Sequence, residues 1–482
     1  MEKNNLTSQF LMTICSTLLL QFFLLYQNVI AASNFGISYK MDAYNISFNI
    51  TTFIFSFFAV SVTTILVPAL IKDNNSKGVN TFITVFGVLV LFVVLLIVVG
   101  GNKVTHIFGQ NTLVSTLLII LSCGYLFRAF TGIFIAIFQV NHSFVLPKMV
   151  QAGSAMVVVL FLIIKEDQSI IYYSIVISFG FFMEFILQVV FLKIKKIKYS
   201  YKITFDLKNN EFKNMVINFF PLFFSTALFQ VTILINIFIA TKLGTGSVSL
   251  LTYSTQLYGM VNSLLVVNLL AIMFPKLVRL ISNNKKESKK TLEKYIILLI
   301  TIMIYILTEF IIHGRDMIAI LFERGLFDTN VTNSVYNLSL LYFILLPIGA
   351  VRDLFYRYFY GDNDTKTPFR NSILISIINI FLSIILSVYF GIFGIVLGTV
   401  LSGTLSMFLI YLRFRKKYNV QLNVKGIIIE LLKLLFAMVI VGLLMKQLLM
   451  LELENLLLIP ISTIIFFLTL YLLKGKVFSI RI

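Results

Sequence analysis

Charge is scarce in this chain. Asp, Glu, Lys and Arg together make up 12% of its 482 residues, half of what a soluble domain uses to coat itself. That scarcity excludes a soluble enzyme, a nucleic-acid-binding module and a disordered tail, so no nucleic-acid partner is expected. Cysteine is rarer still: Cys15 and Cys123 both lie in apolar runs, and two such residues make neither a disulfide framework nor a zinc site. The three histidines, His106, His142 and His313, stand too far apart in the chain to suggest a metal cluster. Tryptophan is absent, leaving Tyr and Phe to form any interfacial aromatic belt. No P-loop, G-x-S-x-G or H-E-x-x-H occurs, so the chain reads as a non-enzyme with no ATPase of its own, no cofactor and no metal. Asp362-Asn-Asp364 is a D-x-D, but no catalytic base stands near it, and a solvated loop is the simpler reading.

What the chain has instead is apolar length. Hydrophobic residues make up 59%, and the mean hydropathy is +0.97. Breaks at Lys, Asp, Asn, Gly and Pro clusters divide the sequence into fourteen apolar spans: 8–34, 43–71, 81–100, 111–139, 144–164, 169–193, 216–242, 247–275, 292–313, 332–360, 369–389, 391–411, 426–447 and 455–473. The longest gaps, 194–215 and 314–331, leave no room for a separate soluble domain. The first span has one Lys before a long apolar stretch, so it reads as a retained span and not as a cleaved signal peptide. With the N-terminus inside, thirty Lys and Arg fall in inner segments and seven in outer ones. That asymmetry predicts a multi-pass plasma-membrane protein with both termini cytoplasmic.

The chain also repeats itself. Asn28 to Gly36 corresponds to Asn236 to Gly244, Pro68 to Pro275, and the Phe138–Pro147 segment to Phe359–Pro368. Each copy holds six spans, an even number, which predicts two parallel six-helix lobes with a binding site between them. The expected organisation is an N-terminal lobe over 1–200, a second lobe over 201–420, and two extra transmembrane helices over 421–482. The fold class is an all-α polytopic membrane protein of about fourteen helices.

Polar residues inside the spans mark the candidate site. Asn45, Asn49, Thr52, Ser56 and Thr63 form one stripe along the second span. Gln21 and Asn28 share a face of the first span, with Gln27 a quarter-turn away. Gln256 and Ser263 align in the eighth, and Ser225, Thr232 and Asn236 in the seventh. Arg128 and Glu184 are charges near mid-span, where each needs a partner or water, and they are expected to pair. Asp353 and Arg357, four residues apart, are expected to pair along a helix, leaving Arg352 to face a cavity.

Two segments carry a family resemblance. Leu321-Phe-Glu-Arg-Gly-Leu-Phe-Asp328, followed by Thr332 and a long span, resembles the outer re-entrant segment of the MurJ/MviN lipid II flippases. Arg357-Tyr-Phe-Tyr-Gly-Asp-Asn-Asp-Thr-Lys-Thr-Pro368 resembles their inner loop, and Phe35-Gly36, Asp42-Ala-Tyr and Pro68 resemble their first hairpin. The resemblance covers nearly the whole chain and places it in the multidrug/oligosaccharidyl-lipid/polysaccharide exporter superfamily. It implies a bacterial flippase that moves a polyprenyl-diphosphate-linked saccharide from the inner to the outer leaflet by alternating access, with membrane lipids as surroundings and the coupling ion unspecified.

The polar stripes and in-span charges together with the resemblance point to site residues: Gln21, Gln27, Asn28, Asp42, Asn49, Arg128, Gln256 and Arg352 in the cavity. Glu323, Arg324, Gly325 and Asp328 fall in the gating segment, and Asp364, Lys366 and Pro368 in the inner loop. Where the family places cavity arginines in its first, second and eighth spans, this chain has Gln21, Gln27, a site near Phe55, and Gln256. Arg128, Arg352 and Arg324 are then the phosphate contacts on offer. Other readings of the same features are a cation-coupled multidrug efflux carrier and an inactive scaffold for cell-wall assembly.

Overall fold

The computed structural model describes residues 2–479 apart from 73–75, 108–111, 142, 144, 166–167, 198–200, 363, 420–421 and 450–457. His142 lies outside them, and so do the side chains of His106, Ser56, Thr63 and Ser225. The described residues are α-helical with no strand. The helices are α1 (Glu2–Phe35), α2 (Tyr39–Lys72), α3 (Lys77–Ile107), α4 (Thr112–Val140), α5 (Val145–Ile164), α6 (Ile170–Ile194), α7 (Asn210–Lys242) and α8 (Ser247–Val261). A π-turn over Asn262–Val267 leads into α9 (Asn268–Asn283). Then come α10 (Lys285–Phe322), α11 (Thr329–Gly361), α12 (Lys366–Phe390), α13 (Ile392–Tyr418), α14 (Val424–Leu449) and α15 (Ile459–Leu472).

Each expected span coincides with a helix once α8 and α9 are taken together. Eleven helices among the described residues are long and apolar enough to cross a membrane. The gaps are shorter than the sequence suggests. α10 runs on to Phe322, so the break expected over 314–331 shrinks to 323–328. Arg315 and Asp316 fall in that expected break, yet they pair with each other at 3.1 Å and extend the helix beyond its apolar part. At 38 residues, α10 is roughly 57 Å long, nearly twice a bilayer's apolar core.

Helix starts are fixed by side-chain oxygens that take up unpaired N–H groups. Ser169 caps α6 through Tyr172, Asn209 caps α7 through Glu211 and Phe212, Asn284 caps α10 through Glu287, and Asp328 caps α11 through Val331. The sequence repeat reappears as geometry. Gly36 and Gly244 follow the ends of α1 and α7 with φ of 53° and 119°, a backbone region that glycine enters without strain. Pro147 and Pro368 each sit third in their helix, where a missing N–H leaves no helical bond unmade.

By contacts the chain forms two compact units, residues 1–249 with 324–327 and residues 250–323 with 328–482. In the first, α2 packs on α4 and α7, α4 on α6, and α1 on α5. Gly124 of α4 lies so close to Ser178 of α6 that a Cβ would sit 2.7 Å from its backbone, the close approach that small residues allow between membrane helices. In the second, α10 packs on α11 and α14, α12 and α13 form a hairpin, and α14 packs on α15. Ile304 of α10, Leu434, Ala437 and Val441 of α14 and Phe466 of α15 share one apolar cluster.

Candidate functional site

In the first unit the polar stripe of α2 meets the middle of α4. Thr52 Oγ1 and the Tyr125 hydroxyl are 2.7 Å apart, and Asn49 Nδ2 turns back to the Asn45 carbonyl at 2.8 Å. One turn beyond Tyr125, Arg128 lies over the Phe181 ring of α6 at 4.6 Å and over Tyr125 at 5.7 Å. Its side chain is exposed. The expected ion pair with Glu184 is not formed. Glu184, 4% exposed, instead accepts from Gln151 Nε2 at 3.1 Å and Gln188 Nε2 at 3.3 Å. Gln151 Oε1 in turn accepts from Lys148 Nζ at 3.2 Å. Amide N–H groups can satisfy the hydrogen bonds of a buried carboxylate without a cation, and sequence spacing does not distinguish the two arrangements. The result is a cluster across α4, α5 and α6 with two cations, one acid and two amides.

Other predicted residues of this unit are committed to packing. Gln27 is buried and donates to the Ala155 carbonyl of α5 at 3.1 Å, while Gln21 and Asn28 are half-buried on α1. Asp42, 7% exposed, accepts from the N–H groups of Gly246 at 2.5 Å and Ser249 at 2.8 Å, and from Ser249 Oγ at 2.6 Å. A carboxylate on α2 therefore caps the start of α8 from another element, where the helix dipole favours a negative charge.

The gating segment is a tight turn. Gly325 has φ 58°, and a Cβ there would collide with the Ser33 carbonyl oxygen, so this position requires glycine. Leu326 N donates to the same Ser33 carbonyl at 2.8 Å. Arg324 joins Tyr26, Ser33, Asn34, Lys165 and Gln168 around a recess of about 210 Å³ at the end of α1. Glu323 Oε1 accepts from Thr329 Oγ1 at 2.6 Å, and Asp328 is the cap of α11.

In the second unit the expected pair of Asp353 with Arg357 gives way to a neighbouring one. Arg352 binds Asp353 at 2.7 Å and lies over the Tyr356 ring at 5.8 Å. Arg357 lies over Phe274 at 5.4 Å. The long arginine side chain can curl back to the carboxylate next to it on the helix, which i,i+4 counting overlooks. Gln256 is half-buried, and its Oε1 has no hydrogen-bond partner among the described residues. The π-turn after Val261 shifts the register of the helix beyond it, so the heptad arithmetic that aligns Gln256 with Ser263 does not carry through.

The inner loop is ordered by acids. Asp364 accepts from the Thr367 N–H at 2.9 Å, the Thr367 hydroxyl at 2.7 Å and Lys417 Nζ at 2.9 Å. Burial alone would raise its carboxyl, but the Thr367 and Lys417 bonds outweigh burial and hold it down at about 2. Lys366 is exposed and Pro368 buried.

Sequence reading missed Lys148, Gln151 and Gln188 as members of the Glu184 cluster. The i,i+4 spacing of Glu184 and Gln188 was the one legible signal. It also missed a buried pair on α10, Glu309 with His313 at 3.6 Å, to which Ser462 of α15 donates at 2.7 Å. The i,i+4 spacing of acid and histidine was visible, but their shared partner was not.

Comparison with known proteins matches this arrangement to one family. The family model described as lipid II flippase MurJ matches residues 31–468. A probable lipid II flippase MurJ of Borreliella burgdorferi is 24% identical over 366 residues, covering 72% of this chain and 71% of that protein. That of Thermotoga maritima is 24% identical over 369 residues, covering 74% and 75%. Among solved structures, a lipid II flippase MurJ in an inward closed conformation superposes with a TM-score of 0.80 at 22% identity over 98% of both chains. An inward-facing multidrug resistance MATE transporter reaches 0.61 at 12% identity over 85% of this chain and 94% of that one. The fold is thus shared with that transporter as well, and with a family match over most of its length the chain belongs to the lipid II flippase MurJ family.

Proposed function

We propose that this protein flips a polyprenyl-diphosphate-linked saccharide, lipid II or a close relative, across the plasma membrane by alternating access. The family match over residues 31–468 carries this reading, and the six-span sequence repeat is consistent with it. The efflux reading has weaker support, since the MATE likeness is lower in both TM-score and identity.

Within this reading, the head-group diphosphate is met on the first unit by Arg128, with Lys148 close by. Arg128 is exposed, stacked on rings and without an acid in ion-pair range among the described residues, so its charge is available to a ligand. A guanidinium fork suits a diphosphate. The glutamines Gln21, Gln27 and Gln256 supply at most neutral donors, so Arg128 takes over the part that cavity arginines play elsewhere in the family. Asn49 and Thr52 lie on the polar stripe of α2, where Thr52 meets Tyr125 of α4. The basic asymmetry supports cytoplasmic termini, with Asn330 outside and Asn284 inside.

The test is replacement of a bacterial host's own lipid II flippase under depletion. The wild-type gene should restore growth, and Arg128→Gln should not, at equal membrane abundance. No rescue by a well-inserted wild-type protein would reject lipid II as the substrate. For orientation, Asn330→Cys in a cysteine-free background should react with an impermeant thiol reagent in intact cells, and Asn284→Cys should not.

A further inference from the structure

The second unit holds a basic pocket that the flipping reading does not use. It lies where the start of α12 meets the end of α13, has a volume of about 530 Å³, and is lined by Phe359, Thr367, Arg370, Arg413, Lys416 and Lys417. Two carboxylates stand at its edge, and both are engaged. Lys417 Nζ is 2.9 Å from Asp364 and 3.1 Å from Asp362, and Asp362 also accepts from the Tyr418 hydroxyl at 2.8 Å. Those acids therefore balance Lys417 and leave Arg370, Arg413 and Lys416 with no acid in ion-pair range among the described residues. Arg413 is fixed in place, since its Nη1 donates to the Thr367 carbonyl at 3.3 Å. Arg370 and Lys416 are exposed. Phe359 is fully buried, with Lys417 Nζ 5.6 Å from its ring.

We propose that this pocket binds a phosphate-bearing anion. Three uncompensated cations around one cavity call for a ligand with more than one negative charge, which a phosphomonoester or diphosphate supplies and a single carboxylate does not. Two guanidinium forks and an ammonium match phosphate oxygens in number and geometry. The first turn of α12 adds the positive end of a helix dipole at the same place. The cavity is larger than one phosphate and leaves room for the group attached to it. The ligand is either the head group of an anionic lipid in the adjoining leaflet or a soluble phosphate compound, and the chemistry of the pocket is the same for both. Occupation would tie the loop between α11 and α12 to the end of α13.

The test uses the full-length purified protein with two probes. Inorganic pyrophosphate is titrated against thermal unfolding at constant ionic strength. Spin-labelled phosphatidylglycerol is compared with spin-labelled phosphatidylcholine in vesicles containing the protein. Arg370→Gln with Lys416→Gln removes two exposed pocket cations, and Lys286→Gln with Lys425→Gln removes the same charge from exposed sites outside the lining. The pocket variant should bind at least one probe about tenfold more weakly than wild type, while the charge-matched control binds like wild type. A pyrophosphate effect without phosphatidylglycerol preference identifies a soluble ligand, and the converse identifies a lipid head group. If the pocket variant and the charge-matched control behave alike with both probes, the proposal is overturned.

Discussion

The two units treat charged side chains in different ways. The second unit forms ion pairs within 4.0 Å among its described residues, and most are local: Glu309 with His313, Arg315 with Asp316, Arg352 with Asp353, Glu430 with Lys433. In the first unit, Asp42 is satisfied by backbone and hydroxyl donors, Glu184 by two amides, and Arg128 by aromatic faces. A paired charge has little field left for anything else. A charge held by neutral groups keeps its field, at a larger desolvation penalty, and that is the condition a charged ligand can exploit. The contrast is consistent with the proposal that Arg128 of the first unit meets substrate charge, while the second unit pairs most of its acids locally and leaves unpaired cations at the pocket between α12 and α13.

The largest effect is expected at Asp42. Asp42→Ala leaves the start of α8 without its carboxylate and should lower stability by about 3 kcal/mol, with Asp42→Asn intermediate because its amide oxygen can still accept. Thermal unfolding of the purified protein reads this directly. A change below about 0.5 kcal/mol would mean that neutral donors around the acid do not hold the first unit together.

Two arginines should differ next most strongly. Arg128→Gln should reduce flipping about tenfold or more while the folded amount stays constant, as expected for the loss of one charge-assisted contact. Arg352→Gln should do the reverse. It strands Asp353 and should lower stability by about 1 kcal/mol, a figure reduced for the partial exposure of the pair. Flux in proteoliposomes and unfolding midpoints separate the two outcomes. Because Glu184 is bonded to Gln151 and Gln188, adding Glu184→Gln to Arg128→Gln should give no rescue. Recovery in that double variant would restore the direct pair and break the comparison.

Gln27→Arg should also lose stability without gaining transport, since the side chain is 6% exposed and bonded to a carbonyl. A charge placed there would cost about 2 kcal/mol or more. The loss should appear as reduced membrane abundance.

The smallest effect belongs to Asp364. Its carboxyl is held at about 2, below the ordinary 3.8. The stabilisation it gives is therefore fully present above the ordinary value and is lost as the pH falls from there through about 2. Asp364→Asn should lower the unfolding midpoint slightly near neutrality and flatten its decline in that acid window. An unaltered acid profile would show that the loop bonds contribute nothing to folding.

Much of this molecule was written in local chemistry. Apolar run length placed the helices of the described residues, apart from the break between α8 and α9, because a backbone in lipid must satisfy its own hydrogen bonds. Gly36 and Gly244 marked helix ends, and Pro147 and Pro368 marked helix starts, because φ and a missing N–H are properties of single residues. The same local rules identified Arg128 and Glu184 as unusual, while Asp42 was marked only by the family resemblance. They could not say what each one touches. Glu184 found amides on α5 and its own helix, Arg128 found a ring on α6, Arg352 chose its neighbour over the residue a turn away, and the π-turn after Val261 moved a face that counting had fixed. Partner choice among polar groups depends on which helices pack together and at what depth. That is decided by long-range packing of apolar faces, where many registers are nearly equal in sequence and only the assembled bundle selects one. The basic pocket beside Asp364 has the same origin, since Arg370 and Lys416 are far apart in the chain and share a cavity only because α12 and α13 fold back on each other.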